Sequence, residues 1–240
     1  MERDGVMKLE KPRLTTAQEL CADPGAALDY AMREAEDVRG LLFSGGQLTG
    51  CEAARIRFHD CVFENWRFED CRFLHVDFAD VLFRGCDLSN LDLTGCGTMR
   101  CAFVDCKGVG LQMPESTLRH LSVEDCRWKY ANLTRCRFKT VLFSRCGLEN
   151  TVFTQCAPGG VRFEDCRMNE ANFCHTPLRG VDLTTDEIEG MVLTGSELEG
   201  AQVTVLQAAG LADEIGSRDT PVALKPNLVI GAPASRGATT

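Results

Sequence analysis

The residues best able to do chemistry in this 240-residue chain are its fourteen cysteines and four histidines. Cys86, Cys106, Cys126, Cys146 and Cys166 recur every twenty residues, and Cys136 and Cys156 repeat the interval. Thiolates bind metals and act as redox nucleophiles, so a ladder of them would suit either use. The local spacing matches neither: the sequence has no Cys-x-x-Cys and no zinc-type pairing of cysteine with histidine. The alternative is that a small, polarisable side chain fills a tight internal site. His59, His75, His120 and His175 do not form a general acid–base group with a nearby nucleophile. The sequence also lacks a phosphate-binding loop, a nucleophile elbow and a dinucleotide fingerprint. Enzyme chemistry is therefore not expected, and no cofactor or metal is implied.

What positions the cysteines is a register of five. From Phe43 to Val203 every fifth residue is apolar, except Thr98, Gly108 and Pro158. All thirteen phenylalanines fall on this phase, among them Phe63, Phe83, Phe103, Phe143 and Phe163, which define the expected core. A helix would repeat near 3.6 and a half-buried strand by two, so neither fits. Two residues before each centre lies a second apolar phase, which holds twelve of the fourteen cysteines. Each unit thus reads as one short side with two inward side chains, and four units make a square coil of twenty residues. Coils stacked at about 4.8 Å would put about eight of them over residues 41–205, a rod of roughly 40 Å. On that rod His75 and His175 share a column but stand about 24 Å apart. Cysteines twenty apart lie one above another with Cβ atoms near 4.8 Å, where a disulfide needs about 3.8 Å. Free, buried thiols are expected.

Units such as Ala131-Asn132-Leu133-Thr134-Arg135 and Ala171-Asn172-Phe173 resemble the A(D/N)LXX signature of pentapeptide-repeat proteins. The resemblance covers about two thirds of the chain and implies an all-β fold, a right-handed quadrilateral parallel β-helix. The chain departs from the signature in using Cys where the family has Ala, and Phe more than Leu. Residues 1–40 hold helix-favouring stretches at 15–21 and 24–38, expected to cap the first coil. The solenoid should occupy 41–205. A helix within 204–215 (206–215 beyond the last coil) would cap the other end or join two copies. Residues 216–240, rich in Gly, Pro, Ala and Ser, read as a disordered tail in which 227–230 could dock. Gly95–Thr98, Gly108–Gly110 and Pro158–Gly160 are expected to bulge the coil edge.

The net charge of −9 argues against direct nucleic-acid binding. With no long apolar run and no signal-peptide pattern, a cytoplasmic, membrane-free protein is expected. Two functions follow. The first is a scaffold that presents a surface to a protein partner. The second comes from the resemblance: bacterial relatives mimic duplex DNA, bind DNA gyrase or topoisomerase IV, and confer quinolone-type antibiotic resistance. The relatives without inserted loops, which this chain resembles, inhibit gyrase and dimerise through a C-terminal helix. Glu64, Asp105, Glu124, Asp125, Glu164 and Asp165 would then stand in for phosphates. The charge is unevenly spread, however. Residues 41–120 carry 8 basic and 11 acidic groups, 121–170 carry 8 and 6, and 171–205 carry 1 and 6. Arg84 and Arg145 interrupt the acidic face itself, so a continuous phosphate-like stripe is not expected.

Overall fold

The computed structural model, which describes residues 8–15, 17–216 and 229–230, turns the period of five into corners. Every fifth residue from Gly40 to Gly200, Thr185 excepted, has positive φ; examples are Asp60 at 56°, Asn65 at 50°, Gly85 at 62° and Asn90 at 58°. This left-handed region costs an ordinary L-residue about 1–2 kcal/mol, and Gly, Asn and Asp tolerate it best. That preference is why those residues crowd this phase. Between corners the centre residue and the one two before it point inward, as with Cys61 and Phe63, both buried.

Two adjacent sides of each turn form one bent strand. Arg57–Glu64 runs through the corner at Asp60, and Asp77–Arg84, Gly97–Val104, Thr117–Glu124 and Arg137–Ser144 stack on it in parallel, each residue over the one twenty before. Leu41–Ser44 precedes this ladder and Val161–Glu164 ends it, so seven turns share the large sheet. The eighth, reaching Val203, is held by single bridges such as Asp182↔Gln202. The other two sides are joined throughout most of the stack by isolated bridges, for example Arg67↔Asp87 and Arg72↔Asp92.

The interior is a set of aromatic columns. Phe43, Phe63, Phe83 and Phe103 stack face to face, with centroids 4.4, 4.8 and 4.5 Å apart. The column then meets Val123, and Trp128 from the neighbouring side fills the gap, edge-on to Phe103 at 5.3 Å and to Phe143 at 5.9 Å. Room for Trp128 is made one turn earlier by Gly108, where a Cβ would lie 2.7 Å from the indole. Gly108 is therefore a packing residue. The coil does not bulge there, since Gly108 N–H bonds Arg127 O at 2.8 Å. Gly97 likewise begins a full eight-residue strand. Of the three expected bulges only 158–160 interrupts a strand, leaving Ala157–Pro158 and Val161–Glu164 as separate pieces.

Helix α1, Pro24–Glu34, is capped by Asp23, which accepts from Ala26 N–H at 3.0 Å, and adds Leu28 and Ala31 to the core beside Phe43. Where a helix is expected at 15–21, Glu19–Leu20 is instead a strand on Leu41–Leu42. Unpaired backbone on the first coil outweighs helix propensity, with Glu19 N–H bonding Gly40 O and Cys21 N–H bonding Leu42 O. Residues 8–15 continue as a strap across the coils. At the far end α2, Val205–Gly216, opens on a reciprocal cap in which Thr204 N–H bonds Gln207 Oε1 and Gln207 N–H bonds Thr204 Oγ1. Val229–Ile230 pairs with Gln202–Val203. The rest of the expected disordered tail, 217–228 and 231–240, lies outside the described residues.

Candidate functional site: the outer columns

None of the fourteen cysteines, all among the described residues, forms a disulfide; eleven are buried, with Cys21, Cys51 and Cys174 partly exposed. The inward thiols also do something an alanine could not. Cys86 donates to Phe63 O at 3.3 Å, Cys101 to Phe78 O at 3.3 Å, Cys146 to Val123 O at 3.2 Å and Cys166 to Phe143 O at 3.4 Å. Each acceptor belongs to the turn before. Thr151 and Ser116, on the same phase, bond Trp128 O and Leu93 O in the same way. Burial pushes the Cys61 thiol up to about 11 and those of Cys96 and Cys101 up to about 12, so these are not thiolate nucleophiles near neutral pH. The cysteine ladder fills space and ties turn to turn.

The outward columns carry the charge. Glu124 and Glu164 lie on one column two turns apart, with Val104 and Ser144 between and below them. Asp105, Asp125 and Asp165 occupy the adjoining corner. The arginines on these two columns are paired within them. Arg145 grips Asp125 with two bonds of 2.7 Å, and Arg84 reaches Glu64 at 3.3 Å. Arg162 lies 3.5 Å from Glu164. Asp105, Glu124 and Asp165 form no ion pair among the described residues. Elsewhere the same pattern holds: Arg100–Asp80, Lys107–Asp87, Arg135–Glu115 and Arg179–Glu199 all join residues twenty apart. In-register stacking sets each outward side chain directly over its predecessor, so an opposite charge twenty residues on can form a pair and a like charge repels.

The side before the acidic one has the opposite sign. Arg119 lies directly beneath Lys139, Arg137 stands two residues before it, and none of the three has an acidic partner among the described residues. The corner between the two sides is where the strap lies. Thr15 N–H and Oγ1 bond Asp60 at 2.9 and 2.7 Å, Arg13 N–H bonds Asp80 at 2.9 Å, and Glu10 N–H bonds His120 Nδ1 at 3.4 Å. Asp60 and Asp80 are 7% and 3% exposed. Burial alone would raise both carboxyls, but hydrogen bonds from Thr15 to Asp60, and from Arg100 and Arg13 to Asp80, hold them below the usual carboxylate range. Sequence reading missed this corner, because Asp60 and Asp80 occupy the phase where Asp is expected for its backbone alone. It also missed Asp186, a carboxylate on the inward cysteine phase. A charged residue on that phase was the available signal.

Among the described residues no helix is long and apolar enough to cross a membrane, and no three His, Cys, Asp or Glu side chains converge as a metal site. Residues 76–153 match the family model described as a pentapeptide repeat region. A trypsin-treated form of QnrB1, a plasmid-mediated fluoroquinolone resistance protein, superposes with a TM-score of 0.53 at 19% identity, over 73% of this chain and 97% of that one. HetL, a pentapeptide-repeat protein involved in heterocyst differentiation regulation in the cyanobacterium Nostoc, matches 72% of this chain and 94% of its own at 14% identity and a TM-score of 0.20. No curated protein matches the sequence significantly. The QnrB1 likeness is one of fold.

Proposed function

This chain belongs to the pentapeptide-repeat family, and on that premise we propose that it is a non-enzymatic scaffold that binds a protein partner through two adjoining faces of opposite sign. The observation that supports this reading most is the placement of unneutralised charge on these two sides. Arg119, Arg137 and Lys139 stand on one side, while Asp105, Glu124 and Asp165 stand on the next side and its corner. A nucleic acid would be repelled by the second set, and a DNA-binding protein channel by the first. A protein with its own mixed charge complements both.

The second reading, inhibition of DNA gyrase by DNA mimicry, draws on the likeness to QnrB1 and on the three unpaired carboxylates. A supercoiling assay separates the two. The scaffold reading expects no inhibition and no gyrase binding at micromolar protein. Inhibition that disappears when Glu124, Asp125, Glu164 and Asp165 are all changed to Lys would replace it with the second. The positive test is affinity capture followed by cross-linking. A discrete partner should be retained by the native chain and lost on joint substitution of Arg119, Arg137 and Lys139 by Glu, with the fold intact by circular dichroism.

A further inference from the structure

One of the four outer faces carries an apolar column where the other three are mostly polar. Leu42, Val62, Leu82, Ala102, Ser122 and Leu142 stack in register, each between two inward residues such as Cys61 and Phe63, so all six point outward. The equivalent positions of the next side read Arg67, Asp87, Lys107 and Arg127. Val62, Ala102 and Ser122 are nonetheless only 8%, 7% and 6% exposed, and Leu82 is half-buried. Outward Val152, on a side the strap does not reach, is half-buried, and so is Leu142 beyond the strap's contacts. The deeper burial follows the strap. It meets the adjoining corner at Asp60, Asp80 and His120 through Thr15, Arg13 and Glu10. Five residues thus span three turns, about 14 Å or about 2.9 Å per residue, which is extended chain. Leu14, Pro12 and Glu10 are half-buried and alternate with exposed Thr15, Arg13 and Lys11. None of residues 8–15 is fully buried, so the strap covers the column without joining the core.

We propose that residues 8–15 are a removable cover over the centre of the partner-binding surface, seated in a groove that takes an extended segment of the partner in their place. This deepens the scaffold reading and rests on it for the existence of a partner. The apolar column runs between the column of Arg119 and Lys139 and the column of Glu124. Protein interfaces place apolar surface at the centre and charge at the rim, and the column under the strap is the apolar surface between these two charged ones. The groove also sets the chemistry of its occupant. Every side-chain hydrogen bond to Asp60 among the described residues comes from Thr15 or Gln18, whereas Asp80 keeps Arg100 when the strap leaves. Any segment that covers Asp60 again must therefore donate to it. The occupant is an extended segment with backbone N–H groups two residues apart for Asp60 and Asp80, a hydroxyl beside the first, and apolar side chains at the places of Pro12 and Leu14. A nucleic acid is repelled by these carboxylates, and the interior of a helix has no N–H groups left to give them. While the strap is seated, the apparent affinity of the groove for any other segment falls with the fraction of chains that are open.

A fluorescein-labelled peptide of the sequence 8–18, followed by fluorescence anisotropy, tests the groove on the full chain. Leu14→Ser with Thr15→Ala loosens the strap without touching the solenoid. The peptide should bind this variant saturably, one per chain, and at least about tenfold tighter than it binds the native chain. Adding Ala102→Glu, an outward change on the groove floor, should weaken that binding at least about tenfold with circular dichroism unchanged. A second peptide, with alanine everywhere except at the places of Leu9, Pro12, Leu14 and Thr15, should bind comparably, which assigns recognition to a pattern that a partner can carry. In the native chain an excess of the first peptide should quicken hydrogen exchange at residues 8–15 and leave Gly97–Val104 unchanged. The proposal is overturned if the first peptide does not bind the loosened variant, binds both chains alike, tolerates Ala102→Glu, or leaves the strap's exchange unaltered. Binding by the first peptide alone also overturns it, since the groove then reads only its own strap. No strap-dependent dimer is expected. A dimer, seen by light scattering, that Leu14→Ser with Thr15→Ala dissolves would place a second copy's strap in the groove and overturn the partner reading. The peptide assays contain no partner, so their failure leaves the two charged sides standing. Partner capture unaffected by reversal of Arg119, Arg137 and Lys139 would instead remove the sides and leave the groove.

Discussion

Trp128 stands in for a phenylalanine missing from the column at Val123, and that substitution can be tested by reversing it. Phe103 and Phe143 are two turns apart, about 9.6 Å at the stacking distance of about 4.8 Å. A ring at 123 would sit midway between them, where the indole now makes its edge contacts at 5.3 and 5.9 Å. Both Val123 and Trp128 are fully buried. Val123→Phe alone should therefore overpack the turn and cost about 1–3 kcal/mol. Trp128→Leu alone leaves a cavity. Full truncation of such a ring costs about 3–5 kcal/mol, and leucine, the residue at 88 and 148 on the same column, should recover part of that. Loss of the buried, unpaired Trp128 Nε1 lowers the cost further, so about 2–3 kcal/mol is expected. In the double variant the new ring completes a stack like that of Phe83 on Phe103, and the loss should fall below about 1.5 kcal/mol. The coupling is then about 3 kcal/mol of mutual rescue. Guanidinium unfolding followed by far-ultraviolet circular dichroism and by the remaining Trp66 fluorescence measures it. Additive effects, within about 0.5 kcal/mol, would refute the reasoning.

Three further outcomes are expected. In the native protein a thiol reagent should label Cys21, Cys51 and Cys174 first and leave the eleven buried thiols unreacted until denaturant is added; rapid labelling of most of them would defeat the column assignment. Phe143→Ala should cost about 3–5 kcal/mol while Lys139→Ala stays within about 0.5 kcal/mol, and equal tolerance at the two sites would mean the phase is misread. Asp60 and Asp80 have folded pKa values below their unfolded ones, so their contribution is present above about pH 4 and is lost as pH falls through the folded values. Hydrogen exchange over residues 8–15 should accordingly quicken in acid, and at neutral pH in the double variant Asp60→Asn, Asp80→Asn; an unchanged strap in that variant would remove the carboxylates from its anchoring.

The period of five made the solenoid, its inward phases and its buried cysteines legible, because each is a local rule repeated some thirty times. What escaped were the features set by a single distant partner. Residues 19–20 read as helix by propensity, but the open edge at Leu41–Leu42 decides their conformation. Gly108 reads as a turn residue, whereas its reason is Trp128, twenty residues on. The strap is invisible for the same cause: nothing in residues 8–15 names Asp60 or Asp80 as receptors. Arg145 over Asp125 was readable from the twenty-residue interval, and it is the pairing that decides how the surface is understood.

That pairing constrains function through the fold itself. A parallel solenoid in register stacks each outward side chain about 4.8 Å above another, so a column of one sign accumulates repulsion with every turn. Duplex DNA tolerates its phosphate rows because they face condensed counterions. A protein rod imitating it must accept that repulsion along its faces. This chain instead inserts arginine where a column turns acidic: Arg84 after Glu64, Arg145 after Asp125, Arg100 after Asp80. The two exposed pairs, Arg84–Glu64 and Arg145–Asp125, contribute little stability each, on the order of 0–1 kcal/mol, so their larger effect is on the potential that a partner meets. Among the charges left over, Arg119, Arg137 and Lys139 are fixed by the register on one side, and Asp105, Glu124 and Asp165 on the next side and its corner. A surface of that design selects a partner by the position of individual charges rather than by overall field, and this is the property the Arg119, Arg137 and Lys139 substitutions are designed to remove.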